Sequence, residues 1–214
     1  MPVFIENIAG FTQNEGSNGI VDLYERLLAE LDEYSGLSVR VRFRRWNENW
    51  RAIARNYHLL RLRYPAPEPF IIVVNAYSYG VGHGLVWLAS QLNRYGIDIE
   101  LANTCDGVYC HWLPLGWWRA MIGGFRIKLP ENIKEYHGFY QRKNRPQGYE
   151  PVGSHQLSWT QMFVEHEWMD DETQWHKHCI RTAKDVCAKW LHGTRDLPSG
   201  APTSDATVRR LRGE

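Results

Sequence analysis

The sequence predicts an α/β fold, in which helices cover both faces of a mainly parallel sheet of about five strands. Segments with strand spacing and segments with helix spacing alternate along the chain, an order typical of parallel strands joined by right-handed crossovers. The segment "FIIVVNAY" at 70–77 is nearly all apolar, which indicates a strand buried on both faces in the middle of such a sheet. We therefore expect a three-layer α/β/α sandwich.

The first half of the chain contains two strands and two helices before the buried strand. Residues 2–9, "PVFIENIA", predict a first strand. Apolar residues recur at helical spacing in 20–36, which predicts a first helix. The alternation of apolar and polar residues in 39–43 predicts the second strand. A second helix follows, with Asn47 or Asn49 as its N-cap.

The second half of the chain continues the alternation. A helix is predicted from about 79 to 95, ending at Gly96. Two strands are predicted after it, at 97–104 and 133–140. A long final helix is predicted over about 171–191, with its N-cap at Asp170 or Asp171.

The composition is that of one globular domain without a strongly charged surface. Hydrophobic residues make up 43% of the 214 residues, charged residues make up 23%, and the formal net charge is +1. A nearly neutral chain gives no reason to expect nucleic acid as a partner. We expect a single domain over residues 1–192. The small and polar residues of 193–214 predict a flexible C-terminal tail.

The N-terminus and the cysteines indicate an intracellular protein. The start "MPVFIENIAG" lacks the basic region and long apolar run of a signal peptide, and no apolar segment is long enough to span a membrane. The four cysteines form no CxxC pair, and no Cys/His spacing matches a zinc site. We therefore expect a cytoplasmic protein with reduced thiols, no stable membrane insertion and no bound metal.

The turn after the buried strand, "AYSYG" at 76–80, matches the small-x-Ser-x-small pattern of a nucleophile elbow. In such a turn the strand and the following helix approach closely, so that only small residues fit beside the serine, here Ala76 and Gly80. The turn also places Ser78 at a helix N-terminus, which favours developing negative charge. We predict Ser78 as a nucleophile, with an ordinary glycine-rich turn as the alternative.

Acyl transfer by a serine also needs N–H donors for the developing oxyanion. The N–H of Tyr79, directly after the serine, is the first candidate. The loop after the first strand, "IAGFTQNEG", is the obvious source of a second donor, with the N–H of Phe11 or Thr12. An ordinary turn that uses Gly10 is the alternative.

A serine nucleophile needs an orienting acid, and Asp106 is the candidate. It lies just beyond the C-terminal end of the strand that follows the serine, at the edge where the catalytic groups of open α/β sheets gather. The alternative is that Asp106 only caps the turn before Gly107.

Nine histidines compete for the role of the base. With this kind of elbow the chain order is serine, acid, histidine, and the histidine lies in a loop after the last strand. His166 fits that order, since it precedes the final predicted helix. His155 is the main alternative, whereas His176 and His178 fall inside the helix and would project sideways.

The segment 108–125, "VYCHWLPLGWWRAMIGGF", is unusually aromatic and lies between the acid and the next strand. We expect it to form a lid or wall of the substrate pocket, with Trp112, Trp117 and Trp118 lining the site. A plain core segment and a lipid-contacting surface are the alternatives. His83, about one turn beyond the serine, is a further candidate to line the pocket.

Four segments carry a combined pattern: "IIVVNAYSYGVGHGLVWLASQL", "GIDIELANTCDGV", "IKEYHGFYQRKNRPQG" and "VEHEWMDD". Together they resemble the α/β-hydrolase superfamily, in particular its small lipase-like or esterase-like serine hydrolases, over roughly residues 3–191. The resemblance implies a minimal α/β-hydrolase fold with Ser78 as nucleophile, Asp106 as acid and His166 as base. Two features depart from the family's pattern: Ala76 replaces the first elbow glycine, and many members carry the acid one strand later.

The function expected from the sequence is hydrolysis of a carboxylic ester or thioester through an acyl-enzyme. We expect a small-molecule or lipid-like ester as substrate and no cofactor. A non-catalytic binding or structural module on the same scaffold is the alternative. A flavodoxin-like nucleotide binder is a third possibility, but no loop has a phosphate-binding glycine pattern. The sequence does not indicate an oligomeric state.

Overall fold

Six strands form one sheet in which all neighbouring strands are parallel. The computed structural model describes residues 2–11, 19–34, 38–64, 69–108, 127–148, 151–153 and 156–195. In chain order the strands are β1 (Val3–Ile8), β2 (Val39–Arg44), β3 (Ile71–Tyr77), β4 (Ile99–Cys105), β5 (Ile133–Gln141) and β6 (Gln156–Met162). Across the sheet their order is β2-β1-β3-β4-β5-β6. The C-terminal ends of all six strands therefore lie at one edge.

Helices separate the first four strands, and a further helix follows β6. They are α1 (Ile20–Glu30), α2 (Trp50–Arg63), α3 (Val86–Asn93) and α4 (Thr173–Arg195). Shorter helical segments are the 3₁₀ turns Asp32–Tyr34 and His166–Asp171 and the π-helical segment Gly80–Leu85, which leads directly into α3. Within the described ranges, no helix is both long and apolar enough to cross a bilayer.

Two apolar layers hold the helices to opposite faces of the sheet. The layer shared with α2 and α3 includes the strand residues Phe4, Ile8, Val74 and Ala76. The layer shared with α1 and α4 includes Val3, Ile5, Val73 and Leu101. Successive side chains of a strand point to opposite faces, so β1 and β3 contribute to both layers. The predicted α/β/α sandwich is confirmed.

The sheet has one strand more than the sequence predicts. The additional strand, β6, lies at the edge of the sheet. From Ser158 to Met162 only Met162 is buried, because an edge strand needs fewer apolar residues than a central one. The strand therefore lacks the strong apolar pattern that reveals β3.

Helix ends follow the sequence signals in two places and differ in two others. Asn49 is the N-cap of α2, where its side-chain oxygen accepts a hydrogen bond from the Ala52 N–H at 3.1 Å. Gly96, with φ of 62°, ends the α3 segment as expected. The helix predicted from about residue 79 begins as a π-helical segment, and α3 proper begins only at Val86. The long last helix continues to Arg195, three residues into the segment predicted as tail, and 196–214 lie outside the described residues.

The sequence predicts Asp170 or Asp171 as the N-cap of the last helix, and this prediction is wrong. Both side chains bind the N-terminus of α1 instead. Asp171 Oδ1 accepts a hydrogen bond from the Gly19 N–H at 2.5 Å, and Asp170 Oδ2 accepts one from the Ile20 N–H at 3.3 Å. The first N–H groups of a helix have no partner inside it, so these carboxyl groups satisfy them from a distant segment. The contact fixes the 3₁₀ turn that carries His166 against α1.

Candidate active site

Ser78 lies in a strained turn directly after β3. Its φ is 53°, which a residue other than glycine rarely adopts. The main chain holds the turn from both sides: the Ser78 N–H donates to the Cys105 carbonyl at 3.0 Å, and the Ser78 carbonyl accepts from the Val108 N–H at 3.1 Å. The same carbonyl accepts from the Val81 N–H at 3.1 Å. The turn is thus bonded to the chain that follows β4.

The two positions beside Ser78 hold small residues for different physical reasons. A Cβ atom on Gly80 would lie 2.4 Å from the Ile8 carbonyl oxygen, so the close approach of the elbow to β1 requires glycine there. Ala76 is fully buried in the layer shared with α2 and α3, where its methyl group is accommodated. Alanine at the first small position therefore does not prevent the elbow from forming.

His166 lies within hydrogen-bond distance of both Ser78 and Asp106. Its Nε2 is 2.9 Å from Ser78 Oγ, and its Nδ1 is 2.6 Å from Asp106 Oδ2. Tyr77 holds the imidazole of His166 through two contacts. The two rings stack with centroids 5.2 Å apart, and the Tyr77 phenol donates to the His166 carbonyl at 2.5 Å. Burial raises the pKa of the Tyr77 phenol well above its ordinary value, so this donor stays protonated.

Asp106 is completely buried at the end of β4. Its φ is 45°; Ser78 and Asp106 are the two residues other than glycine with positive φ in the described part of the chain. The Asp106 N–H donates to the Phe139 carbonyl at 2.7 Å, which fixes the turn against β5. A Cβ atom on Gly148 would lie only 2.1 Å from Asp106 Oδ1, so the chain at Gly148 closes directly over the carboxylate.

Gln141 and Asn144 hold this arrangement, and neither is among the residues that the sequence predicts for the site. Gln141 donates to both oxygens of Asp106, from its N–H at 3.1 Å and from its side-chain amide at 3.0 Å. The Gln141 side-chain oxygen accepts from the Asn144 N–H at 3.0 Å, and Asn144 Oδ1 accepts from the His166 N–H at 2.8 Å. One signal was present in the sequence: a polar residue ends an otherwise well-packed strand in "HGFYQRKN".

The loop after β1 passes next to the serine. A Cβ atom on Gly10 would lie 3.1 Å from Ser78 Cβ, so this backbone is in close contact with the elbow. Phe11 follows it, and its ring packs against the ring of Tyr79 at 5.5 Å. The loop and the residue predicted to supply oxyanion donors therefore both lie beside Ser78. Thr12 lies outside the described residues.

The other histidines make separate contacts. The ring of His83 packs against Trp46 and Trp87, with centroids 5.4 Å and 5.9 Å away. On α4, as predicted, His176 lies 2.6 Å from the Asp170 carbonyl and the ring of His178 packs against Phe139. His155 and the predicted pocket residues Trp112, Trp117 and Trp118 lie outside the described residues.

A second serine, Ser158 on β6, makes a superficially similar chain of contacts. Its Oγ is 2.7 Å from Nδ1 of His137, whose Nε2 is 2.6 Å from Glu135 Oε1. Ser158 lies inside a strand, without the positive φ and the helical N-terminus of the elbow at Ser78. Ser158 therefore offers an internal comparison for the chemistry of Ser78.

No group of three or more His, Cys, Asp or Glu side chains suited to a metal ion occurs among the described residues. A cleft of about 220 Å³ lies at the opposite edge of the sheet and includes Arg61, Asp98 and Lys134 in its lining. Arg61 donates there to the Tyr95 and Gly96 carbonyls, so its charge is engaged in holding the end of α3. The chemistry-bearing arrangement is the one around Ser78.

Comparisons with known proteins find similarity among solved structures. No protein-family profile matches the chain, and no curated protein matches it. A similar solved structure is that of a protein from Xanthomonas campestris pv. campestris, whose description assigns it provisionally to the hydrolases of the alpha/beta superfamily. The identity is 14%, the match covers 85% of this chain and 98% of the other, and the TM-score is 0.41.

Proposed function

We propose that the protein is a serine hydrolase that cleaves a carboxylic ester or thioester through an acyl-enzyme intermediate. The observation that carries the proposal is the continuous chain of contacts from Ser78 Oγ to His166 Nε2 at 2.9 Å and from His166 Nδ1 to Asp106 Oδ2 at 2.6 Å. A nucleophile, a base within reach of its proton and an acid that orients the base are the three parts that this chemistry needs.

The proposed reaction has two acyl-transfer steps. Ser78 Oγ attacks the acyl carbonyl carbon while its proton moves to His166 Nε2, and the carbonyl electron pair moves to the oxygen. Collapse of this intermediate breaks the bond to the alcohol or thiol, which takes the proton from Nε2. A water molecule then repeats the sequence on the acyl-enzyme and releases the acid.

Asp106 selects the form of His166 that can act as a base. Its carboxylate accepts the Nδ1–H hydrogen bond, which leaves the lone pair on Nε2 directed at Ser78 Oγ. The carboxylate also stabilises the imidazolium that forms when His166 holds the proton. Because Asp106 is fully buried, this charge interaction is weakly screened by solvent.

We propose backbone N–H groups as the oxyanion donors, from Tyr79 and from Phe11 or Thr12. The close contact of Gly10 with Ser78 supports this assignment, because it brings the loop after β1 to the serine. The strained backbone at Ser78 and Asp106 supports a functional site at these two turns, since residues in such conformations concentrate at functional sites. The reaction uses protein groups and water alone and needs no cofactor.

Labelling with a fluorophosphonate probe tests the proposal. The wild type is expected to be labelled at Ser78, and Ser78→Ala is expected to lose labelling and ester turnover. Ser158→Ala is the matched control, because Ser158 also contacts a histidine that contacts a carboxylate. It should be labelled as the wild type is. Folded wild-type protein that is neither labelled nor active on p-nitrophenyl acetate would instead point to a non-catalytic module.

A further inference from the structure

Five aromatic rings form a continuous row that begins near Tyr79, the residue directly after Ser78. We call this the aromatic row, and its members are Phe11, Trp46, Tyr79, His83 and Trp87. From Tyr79 the centroid distances are 5.9 Å to Trp46, then 5.4 Å to His83 and 5.9 Å to Trp87. Phe11 packs on both Tyr79 and Trp46, at 5.5 Å from each.

The row is apolar and partly open to solvent. Phe11 is 60% exposed and Trp87 is 45% exposed. Single exposed apolar residues are common on protein surfaces, whereas contiguous ones mark binding sites. Burial lowers the pKa of His83 from its ordinary value, so its ring is neutral at pH 7 and does not interrupt the row with a charge.

The row and the proton-transfer groups lie on opposite sides of Ser78. Phe11 follows β1 and Trp46 follows β2, which are the strands on one side of β3. Asp106 follows β4 and His166 follows β6, on the other side of β3. Ser78, at the end of β3, therefore separates the aromatic side of the site from the acid-base side.

This separation fixes which half of an ester each side can bind. His166 has to give its proton to the leaving oxygen or sulfur, so the alcohol or thiol part lies on the His166 side. The tetrahedral carbon also carries Ser78 Oγ and the oxyanion, which the proposed backbone N–H donors bind. The acyl part is the fourth substituent, and it extends away from His166. On that side it meets Tyr79, which follows Ser78 directly, and Phe11, which follows Gly10.

We propose that the aromatic row is the acyl-binding surface and that the substrate is an ester or thioester of an apolar acyl chain longer than acetyl. The inference rests on the proposed serine hydrolase activity. We assign the acyl chain as its occupant because the row begins at the residue directly after Ser78 and lies on the side of Ser78 away from His166. Three further ring-to-ring steps are then available to a longer chain.

The experiment compares p-nitrophenyl acetate, butyrate, hexanoate and octanoate below the concentrations at which they form micelles. These esters share one leaving group, so differences in kcat/KM report the acyl side. A fully buried methylene contributes about 0.8 kcal/mol, or about fourfold, and a half-open surface should give roughly twofold per methylene. Trp46→Ala is expected to flatten this rise, so that its loss relative to wild type grows with chain length. Trp46→Phe should retain most of the rise.

Two controls make the outcomes distinguishable. Leu62→Ala removes an exposed apolar side chain at the far end of α2, and it should leave the chain-length dependence as in wild type. A second series consists of acetate esters of alcohols of increasing length. Trp46→Ala should not change how kcat/KM depends on the length of the alcohol in this series. A Trp46→Ala effect confined to that second series would overturn the inference and place the row on the leaving-group side.

Other results also decide the question. An equal loss on all four acyl lengths would assign Trp46 a structural role and reject the acyl-binding surface. A wild type that hydrolyses p-nitrophenyl acetate through Ser78 but shows no gain with chain length would reject this inference while leaving the serine hydrolase activity intact. A folded wild type without any Ser78-dependent turnover or labelling would reject both.

Discussion

Gln141 donates two hydrogen bonds to the Asp106 carboxylate, one to each oxygen. The main-chain N–H binds Oδ1 at 3.1 Å and the side-chain amide binds Oδ2 at 3.0 Å. Oδ2 is also the atom that lies 2.6 Å from His166 Nδ1. Gln141 therefore sets the orientation of the carboxylate, and through it the direction in which the imidazole presents Nε2 to Ser78.

Replacement of Gln141 by leucine should reduce turnover more than substrate binding. Gln141→Leu keeps the approximate volume but removes the amide that holds Asp106 Oδ2. A displacement of a catalytic group by about 1 Å can cost up to about 10²-fold in rate, so we expect kcat to fall by roughly 10- to 100-fold with little change in KM. Steady-state kinetics on p-nitrophenyl acetate measures both constants.

Gln91→Leu is the matched control for this substitution. Gln91 is also a buried glutamine, but it lies on α3, where its oxygen accepts from Arg94 at 3.3 Å. Both variants lose a buried amide, so both should lose some stability. Equal kcat values for the two variants would contradict a positioning role for Gln141.

Alanine at Gly148 should disturb the acid without unfolding the protein. The added Cβ would lie 2.1 Å from Asp106 Oδ1, far inside van der Waals contact, so the carboxylate or the loop has to move. We expect Gly148→Ala to slow fluorophosphonate labelling at least tenfold while the protein still unfolds cooperatively. Gln147→Ala, which trims the neighbouring side chain in the same loop, should label at nearly the wild-type rate.

The parts of the fold and site that the sequence predicts are those with local signals. β3 is revealed by its apolar run, and Ser78 by the small residues around it. Asp106 and His166 are predicted from their positions after strands, and in the structure His166 lies within hydrogen-bond distance of both Ser78 and Asp106. What the site does with these groups remains a prediction.

The features that sequence reasoning missed depend on contacts between distant segments. Gln141 and Asn144 act on Asp106 and His166 only because the loop after β5 folds back over the end of β4. Likewise, an N-cap is normally sought next to its own helix, whereas Asp171 caps α1 from 152 residues away. Neither relation leaves a periodic or local pattern in the chain.

Asn75, in the strand just before the elbow, should contribute to stability through a buried row of amides. Asn75 donates to Asn7 Oδ1 at 2.9 Å and accepts from Asn103 at 3.0 Å, across three strands in register. Asn75→Leu leaves one buried acceptor and one buried donor without this partner. We expect the free energy of unfolding to fall by about 2–4 kcal/mol, measured by urea denaturation.

A double-mutant cycle separates this row from simple packing. Asn103→Leu removes the same Asn75–Asn103 hydrogen bond, so the double variant should lose less stability than the two single losses together. Strict additivity would contradict coupling through the row. The Ser78 labelling rate of folded Asn75→Leu should stay near that of wild type, because the Asn75 side chain bonds to Asn7 and Asn103 rather than to the three proposed catalytic side chains.

Asp170 should make the stability of the protein depend on pH in a direction unusual for a carboxylate. Burial, and then the neighbouring Asp171, raises the pKa of Asp170 to about 7. The pKa of Asp170 in the unfolded chain is about 3.9. At pH values between this pKa and the folded one, the folded protein holds a proton that the unfolded chain has released. The stabilising contribution is therefore complete below about pH 4 and is lost as the pH rises to about 7.

Asp170→Asn removes this titration while keeping an oxygen that can accept from the Ile20 N–H. The wild type should therefore lose stability relative to the variant between about pH 4 and pH 7, with a slope of at most about 1.4 kcal/mol per pH unit. Above about pH 7 the difference should become constant. Urea denaturation of both proteins at intervals of pH measures this difference in the free energy of unfolding. A difference independent of pH would show that Asp170 is ionised in the folded protein over the whole of this pH range.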